Sequence, residues 1–131
     1  MAATYHNIGV VYQKKGDLEN ALLQYQRALE IRTRVFGSEH ISVADTYMGI
    51  ANVYYSQSHY ERALEYHQKS LDIKVRVVGH EHPDVATSCD NIGLVYWKQG
   101  DLENALLQHQ RALEIQTRVF GDNHLRLWPR A

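Results

Sequence analysis

Hydrophobic and polar positions in the middle of the chain fall into two helical stripes separated by a short break. Val43, Tyr47, Ile50, Ala51 and Tyr54 recur at steps of 4, 3, 1 and 3, which is one face of a helix. Ala63, Leu64, His67, Ser70, Leu71 and Val75 form a second stripe of the same kind. The break at Gln57 to His59 predicts the turn of a helical hairpin.

The hairpin is written three times. Tyr12, Tyr54 and Tyr96 lie 42 residues apart, as do Ala21, Ala63 and Ala105, Leu29, Leu71 and Leu113, and His40, His82 and His124. The 131 residues are three such steps plus 5. Asn7 to Gly37 matches Asn91 to Gly121 except at 10/94, 13/97, 15/99, 25/109 and 32/116. The units span approximately 2–39, 40–81 and 82–124, with 125–131 either irregular or the truncated start of another helix.

Local signals agree with six helices. Gly16 and Gly100 stand where Ser58 stands in the middle unit, and glycine readily takes the left-handed conformation that ends a helix. Asp17 and Asp101 read as N-caps, and Ser58 with Glu61 has capping-box spacing. Second helices are expected to end at Gly37, Gly79 and Gly121, and Pro83 suits a first helical turn. Glu19, Glu61 and Glu103 face the positive end of the helix dipole. Glu30–Arg34, Asp72–Arg76 and Glu114–Arg118 have i,i+4 spacing, worth about 0.3–0.5 kcal/mol for each exposed pair.

With Tyr5-x-x-Ile8-Gly9-x-x-Tyr12, Ala21, Tyr25 and Ala28, and the same pattern in the later units, the chain resembles the tetratricopeptide repeat. Ala28-Leu29-x-Ile31, then Gly37-x-x-His40 and Val43-Ala44, is similar to the 42-residue variety of kinesin light chains and nephrocystin-like scaffolds. The resemblance implies an all-α fold, an α-solenoid of stacked antiparallel hairpins in which the first helices line the concave side of a right-handed superhelix. Small residues at 9, 51 and 93 and at 21, 63 and 105 let the two helices of a hairpin approach, and each hairpin needs a neighbour to bury its remaining apolar face.

Composition narrows the chemistry. Lys and Arg number 14 against 15 Asp and Glu, so no basic field tracks a phosphate backbone or an acidic membrane. Nine tyrosines and two tryptophans could stack bases, but Tyr5, Tyr12, Tyr47, Tyr54 and Tyr96 fall on the repeated core stripe. The lone Cys89 excludes an internal disulfide and is expected as a small buried hydrophobe. No apolar stretch reaches the length of a bilayer span and no signal-peptide core opens the chain, so a cytoplasmic location is expected. Nucleotide, hydrolase, zincin and EF-hand motifs are missing, which predicts no enzyme and no cofactor.

The eight histidines suggest a metal at first sight, especially His80-Glu81-His82. Equivalent positions on stacked helices lie roughly 8–10 Å apart, whereas zinc holds its nitrogens at about 2.0–2.1 Å. His40, His82 and His124 therefore read as loop or N-cap residues, His67 and His109 as packing residues, and no metal is expected.

The first helices carry a second face that changes between units. It holds His6, Asn7, Val10 and Lys14 in unit one, Met48, Asn52 and Tyr55 in unit two, and Asp90, Asn91, Leu94, Trp97 and Lys98 in unit three. Asparagines donate to and accept from a peptide backbone, Tyr55 and Trp97 offer flat apolar surfaces, and Lys14 and Lys98 attract acidic flanks. The resemblance implies that an asparagine at the place of Asn7 and Asn91 helps hold extended cargo peptides; Gly49 interrupts that ladder. The carboxylate clamp of chaperone-binding relatives is not reproduced at His6, Val10, Gly49, Thr87 and Asn91. The expected function is an interaction scaffold that binds an extended or helical peptide segment, with no nucleic acid or membrane partner.

The alternative is a structural segment that self-associates through uncapped ends, using Leu106, Leu113 and Trp128. Met1 and Ala131 both interrupt the repeat, so the sequence reads as a slice of a longer array.

Overall fold

Each helix begins and ends for a local reason. In the computed structural model, which describes the backbone of residues 1–127 and the side chains of 1–121, six helices follow one another: α1 (Ala2–Lys15), α2 (Leu18–Phe36), α3 (Ile41–Ser56), α4 (Tyr60–Val78), α5 (Pro83–Lys98) and α6 (Leu102–Leu127). Asp17 and Asp101 each accept the backbone N–H three residues on, and His40 and His82 accept those of Ser42 and Asp84 through Nδ1. Gly16 closes α1 at φ 83°.

Three expectations are corrected. Ser58 does not cap α4. It takes the left-handed place of Gly16 and Gly100 with φ 63°, and the Ala63 N–H bonds the His59 carbonyl instead. Gly121 does not end α6, which runs on to Leu127. After Gly37 and Gly79 the chain meets His40-Ile41-Ser42 or His82-Pro83-Asp84, sequences that open a new helix. After Gly121 it meets His124-Leu125-Arg126, two of them good helix formers, and a mid-helix glycine costs only about 1 kcal/mol. Third, only Glu30–Arg34 forms as the i,i+4 spacing predicts. Arg76 and Arg118 reach instead to Glu39 and Glu81, both at 2.6 Å and both 37 residues back. Arg34 pairs with Glu30 on its own helix at 2.8 Å.

The chain forms two compact units, Met1–Val77 and Val78–Ala131. In the first, α2 packs against both α1 and α3, and α1 also touches α3. Its core joins Ala21 and Tyr25 of α2 to Ile50 and Val53 of α3, edged by Val10, Tyr12, Leu18, Leu22 and Tyr54. A second cluster gathers Val43, Ala44 and Ile73, with Leu29 and Tyr47 against it. Tyr66 stacks on Tyr54 at 5.5 Å, and the Lys69 ammonium lies 4.9 Å from the centre of the Tyr66 ring. In the second unit α5 and α6 pair as one hairpin, with Val85, Cys89, Ile92 and Val95 buried on α5 and Ala105, Ala112 and Ile115 on α6.

Candidate functional site

Tyr25 sets the geometry between α1 and α3. Its ring lies flat against two glycines: a Cβ built on Gly9 or Gly49 would stand 3.0 or 2.8 Å from it. Glycine at both places lets the ring wedge beneath the first helices, where it is almost wholly buried. The hydroxyl at its far end donates to Gln13 Oε1 at 2.9 Å, and burial pushes its pKa upward.

Above this floor is an open groove of about 590 Å³. His6, Val10, Gln13 and Lys14 of α1 form one wall, and Asp45, Met48, Asn52 and Ser56 of α3 the other. Arg32 braces the groove from α2, donating from Nη1 to Thr46 Oγ1 at 2.8 Å and to the Ser42 carbonyl at 3.1 Å. His6 stands edge-on to Tyr25 at 5.1 Å between ring centres. Burial lowers its pKa and the nearby Arg32 lowers it further, while Asp45 pulls the other way, so the imidazole is neutral at pH 7. Lys14 and Asp45 thus bring opposite charges to the two walls, and Val10 and Met48 the apolar contacts.

The sequence-derived residues separate into three places. His6, Val10, Lys14, Met48 and Asn52 share the groove. Asn7 lines another cleft, with Ile8, Val11 and Tyr12, and Tyr55 packs edge-on against Tyr60 at 5.8 Å. On α5, Leu94 and Trp97 are exposed and the Lys98 ammonium lies 5.2 Å from the Trp97 ring centre. Asn91 is half-buried, and Asp90 accepts a hydrogen bond from His109 Nδ1 at 2.9 Å. Leu106 and Leu113 are exposed on α6, and Trp128 lies outside the described residues.

In the sequence Tyr25 is one member of the repeat pattern, and the signal for a larger role is its hydroxyl, which a buried tyrosine must satisfy. Gly49, read as a gap in the asparagine ladder, is the contact that admits the Tyr25 ring. Cys89 is buried, and burial foremost raises its thiol pKa, so it is not an activated nucleophile. His82 is spent on its cap and Glu81 on Arg118, and the described residues contain no group of three metal-ligating side chains.

The tetratricopeptide repeat family model matches residues 1–74, 60–118 and 85–129, and the chain belongs to that family. Among solved structures it is similar to BtubC (BKLC) from P. vanneervenii, with 26% identity and a TM-score of 0.84 over 89% of this chain and 46% of that one. It is also similar to the nearly identical TPR-like repeats of a Podosopora anserina kinesin-light-chain candidate, at 20% identity and TM-score 0.78, over 89% of this chain and 56% of that one. The TPR domain of Arabidopsis FLU shares 19% identity at TM-score 0.76, over 86% of this chain and 92% of that domain. No curated protein sequence matches. The chain thus spans 46% and 56% of the first two structures.

These likenesses make the protein an all-α helical repeat of the α-solenoid class with kinesin-light-chain-like units. Tetratricopeptide proteins in general bind other proteins and are scaffolds rather than enzymes. No described helix is long and apolar enough to cross a membrane.

Proposed function

We propose that the chain is a cytoplasmic interaction module that holds an extended or helical peptide segment in the groove between α1 and α3. The groove itself is the observation that carries this reading. It is open, rests on the buried Tyr25 ring, and sets the Asn52 and Gln13 amides beside Val10 and Met48. Amides satisfy a bound backbone while the apolar pair accepts a side chain. Lys14 and Asp45, facing one another, favour a segment that carries both signs of charge. The exposed Leu94, Trp97 and Lys98 surface of α5 offers a further contact of the same chemistry.

The test is selection of binders from a displayed peptide library, followed by calorimetry. Met48→Glu combined with Asn52→Ala is expected to weaken the best binder at least tenfold, and Asn91→Ala with Trp97→Ala to weaken any that also uses α5. Binding unchanged in both variants removes the groove from the function.

A further inference from the structure

The two walls of the groove between α1 and α3 stand in a fixed register. The Tyr25 ring lies against both Gly9 and Gly49, and Arg32 Nη1 reaches His6 Nδ1 at 3.4 Å and Thr46 Oγ1 at 2.8 Å. Both walls therefore run the same way, opposite to α2, and each residue of α1 is level with the one 40 places on in α3. In that register Asp45 is level with Tyr5 and Lys14 with Tyr54, so the two charges face one another along a diagonal. Their offset is nine residues of helix, which at 1.5 Å a residue is about 13–14 Å. Val10 and Met48 lie midway between them. Asp45 and Lys14 are both exposed, and neither forms an ion pair among the described residues. The Arg32 guanidinium is bonded to Thr46 and the Ser42 carbonyl and does not line the groove.

We infer that the groove selects an extended segment in which a basic and an acidic residue stand four apart with an apolar residue midway. The base meets Asp45, the apolar side chain enters between Val10 and Met48, and the acid meets Lys14. This rests on the groove reading above and narrows its occupant. An extended chain rises about 3.3–3.4 Å per residue, so four residues cover the offset, and its side chains at i, i+2 and i+4 share one face. A helix covers the same distance in nine residues, and at about 100° a residue that turns the second charge to the opposite side. The Gln13 and Asn52 amides lie between the apolar pair and Lys14, where they meet the backbone of the acidic half. Base first and acid first both satisfy the geometry, because the segment can enter in either direction.

The experiment selects linear random peptides, displayed on phage, on the whole chain, on Lys14→Glu and on Asp45→Lys. Low salt keeps the exposed charges unscreened. Both substitutions alter exposed side chains, and unchanged far-UV circular dichroism verifies their folding. Binders count as groove-dependent when Met48→Glu with Asn52→Ala abolishes them. Among these, opposite charges at i,i+4 around a central apolar residue are expected about fivefold above their frequency in the unselected library. Lys14→Glu leaves two acidic ends and is expected to move the enrichment to two bases at the same spacing. Asp45→Lys leaves two basic ends and is expected to move it to two acids. Groove-dependent binders with no preferred charge spacing, with a helical i,i+7 spacing, or with the same charges on all three proteins overturn this inference and leave the groove reading standing. The absence of any groove-dependent binder overturns the groove reading and this inference with it.

Discussion

Helices α2 and α6 are nearly the same peptide: between Leu18–Phe36 and Leu102–Phe120 only Tyr25/His109 and Arg32/Gln116 differ. Yet α2 stops at Gly37, whose φ is 85°, and α6 runs through Gly121. Near-identical propensity therefore does not place a helix end. What decides is whether the following residues can start another helix, as Ser42 does by donating its N–H to His40. The two differing side chains mark another contrast. Tyr25 and Arg32 are both bonded within the first unit, whereas His109 turns to Asp90.

The largest effect is expected at the middle copy of this position. His67 of α4 is almost wholly buried, its Nδ1 has no hydrogen-bond partner, and burial, assisted by Lys74, lowers its pKa to about 4. In the unfolded chain the ring titrates near its ordinary value of 6.5. Between those values the unfolded chain binds a proton that the folded chain refuses. Stability is thus full above about pH 6.5 and declines as pH falls toward 4, by up to about 3 kcal/mol. Urea unfolding at pH 7.5 and pH 4.5 measures this, and His67→Gln is expected to remove most of the difference.

Converting α2 toward α6 comes next. Tyr25→His truncates a buried ring and frees Gln13, and is expected to cost about 1–3 kcal/mol. Gly49→Asn is expected to cost a similar amount beside Tyr25, because its Cβ would stand 2.8 Å from the ring, but much less when combined with Tyr25→His. A double-mutant cycle with a coupling below about 0.5 kcal/mol would show that ring and glycine are not matched.

The same substitution in the twin helices should then have opposite signs. Gly37→Ala forces alanine into an extended, positive-φ conformation (φ 85°, ψ 167°) that is essentially glycine's own, and is expected to destabilise by about 1–3 kcal/mol. Gly121→Ala lies within a helix, its nearest neighbour Thr117 Cγ2 being 4.0 Å away, and is expected to stabilise by about 1 kcal/mol. Thermal unfolding of the two variants decides the matter; equal signs would contradict the different ends. The smallest effect concerns the turn. Ser58→Gly relieves a left-handed serine and is expected to add about 0.5–1 kcal/mol, net of the entropy glycine costs the folded state.

Much of this was legible in the residues. The 42-residue step and the apolar stripes specify six helices, and Asp17, Asp101, Gly16 and Pro83 locate several ends because caps act over three or four residues. Longer-range choices left no such local mark. Arg76 has two acidic residues it could reach, and i,i+4 spacing names Asp72, but the folded chain brings Glu39 to it across 37 residues. Ser58 looked like a cap because serine so often is one; its place in the repeat, shared with Gly16, was the better guide. Of the face that varies between units, His6, Val10, Lys14, Met48 and Asn52 line the groove, while Asn7 lines a different cleft and Tyr55 packs on Tyr60, a contact its spacing does not announce. Its floor was hidden, because a tyrosine on a core stripe looks the same whether its hydroxyl faces solvent or a glutamine.

The burial of Cys89 gives the protein a reporter of its own. It is the single thiol in the chain, is sealed within α5, and is held in its unreactive protonated form by that burial. An alkylating reagent can capture it only when the packing around α5 opens. Repeat arrays can come apart piecewise instead of all at once. The rate of capture, followed at rising denaturant beside the global unfolding curve, therefore separates local openings around α5 from global unfolding, with no label added and no residue changed.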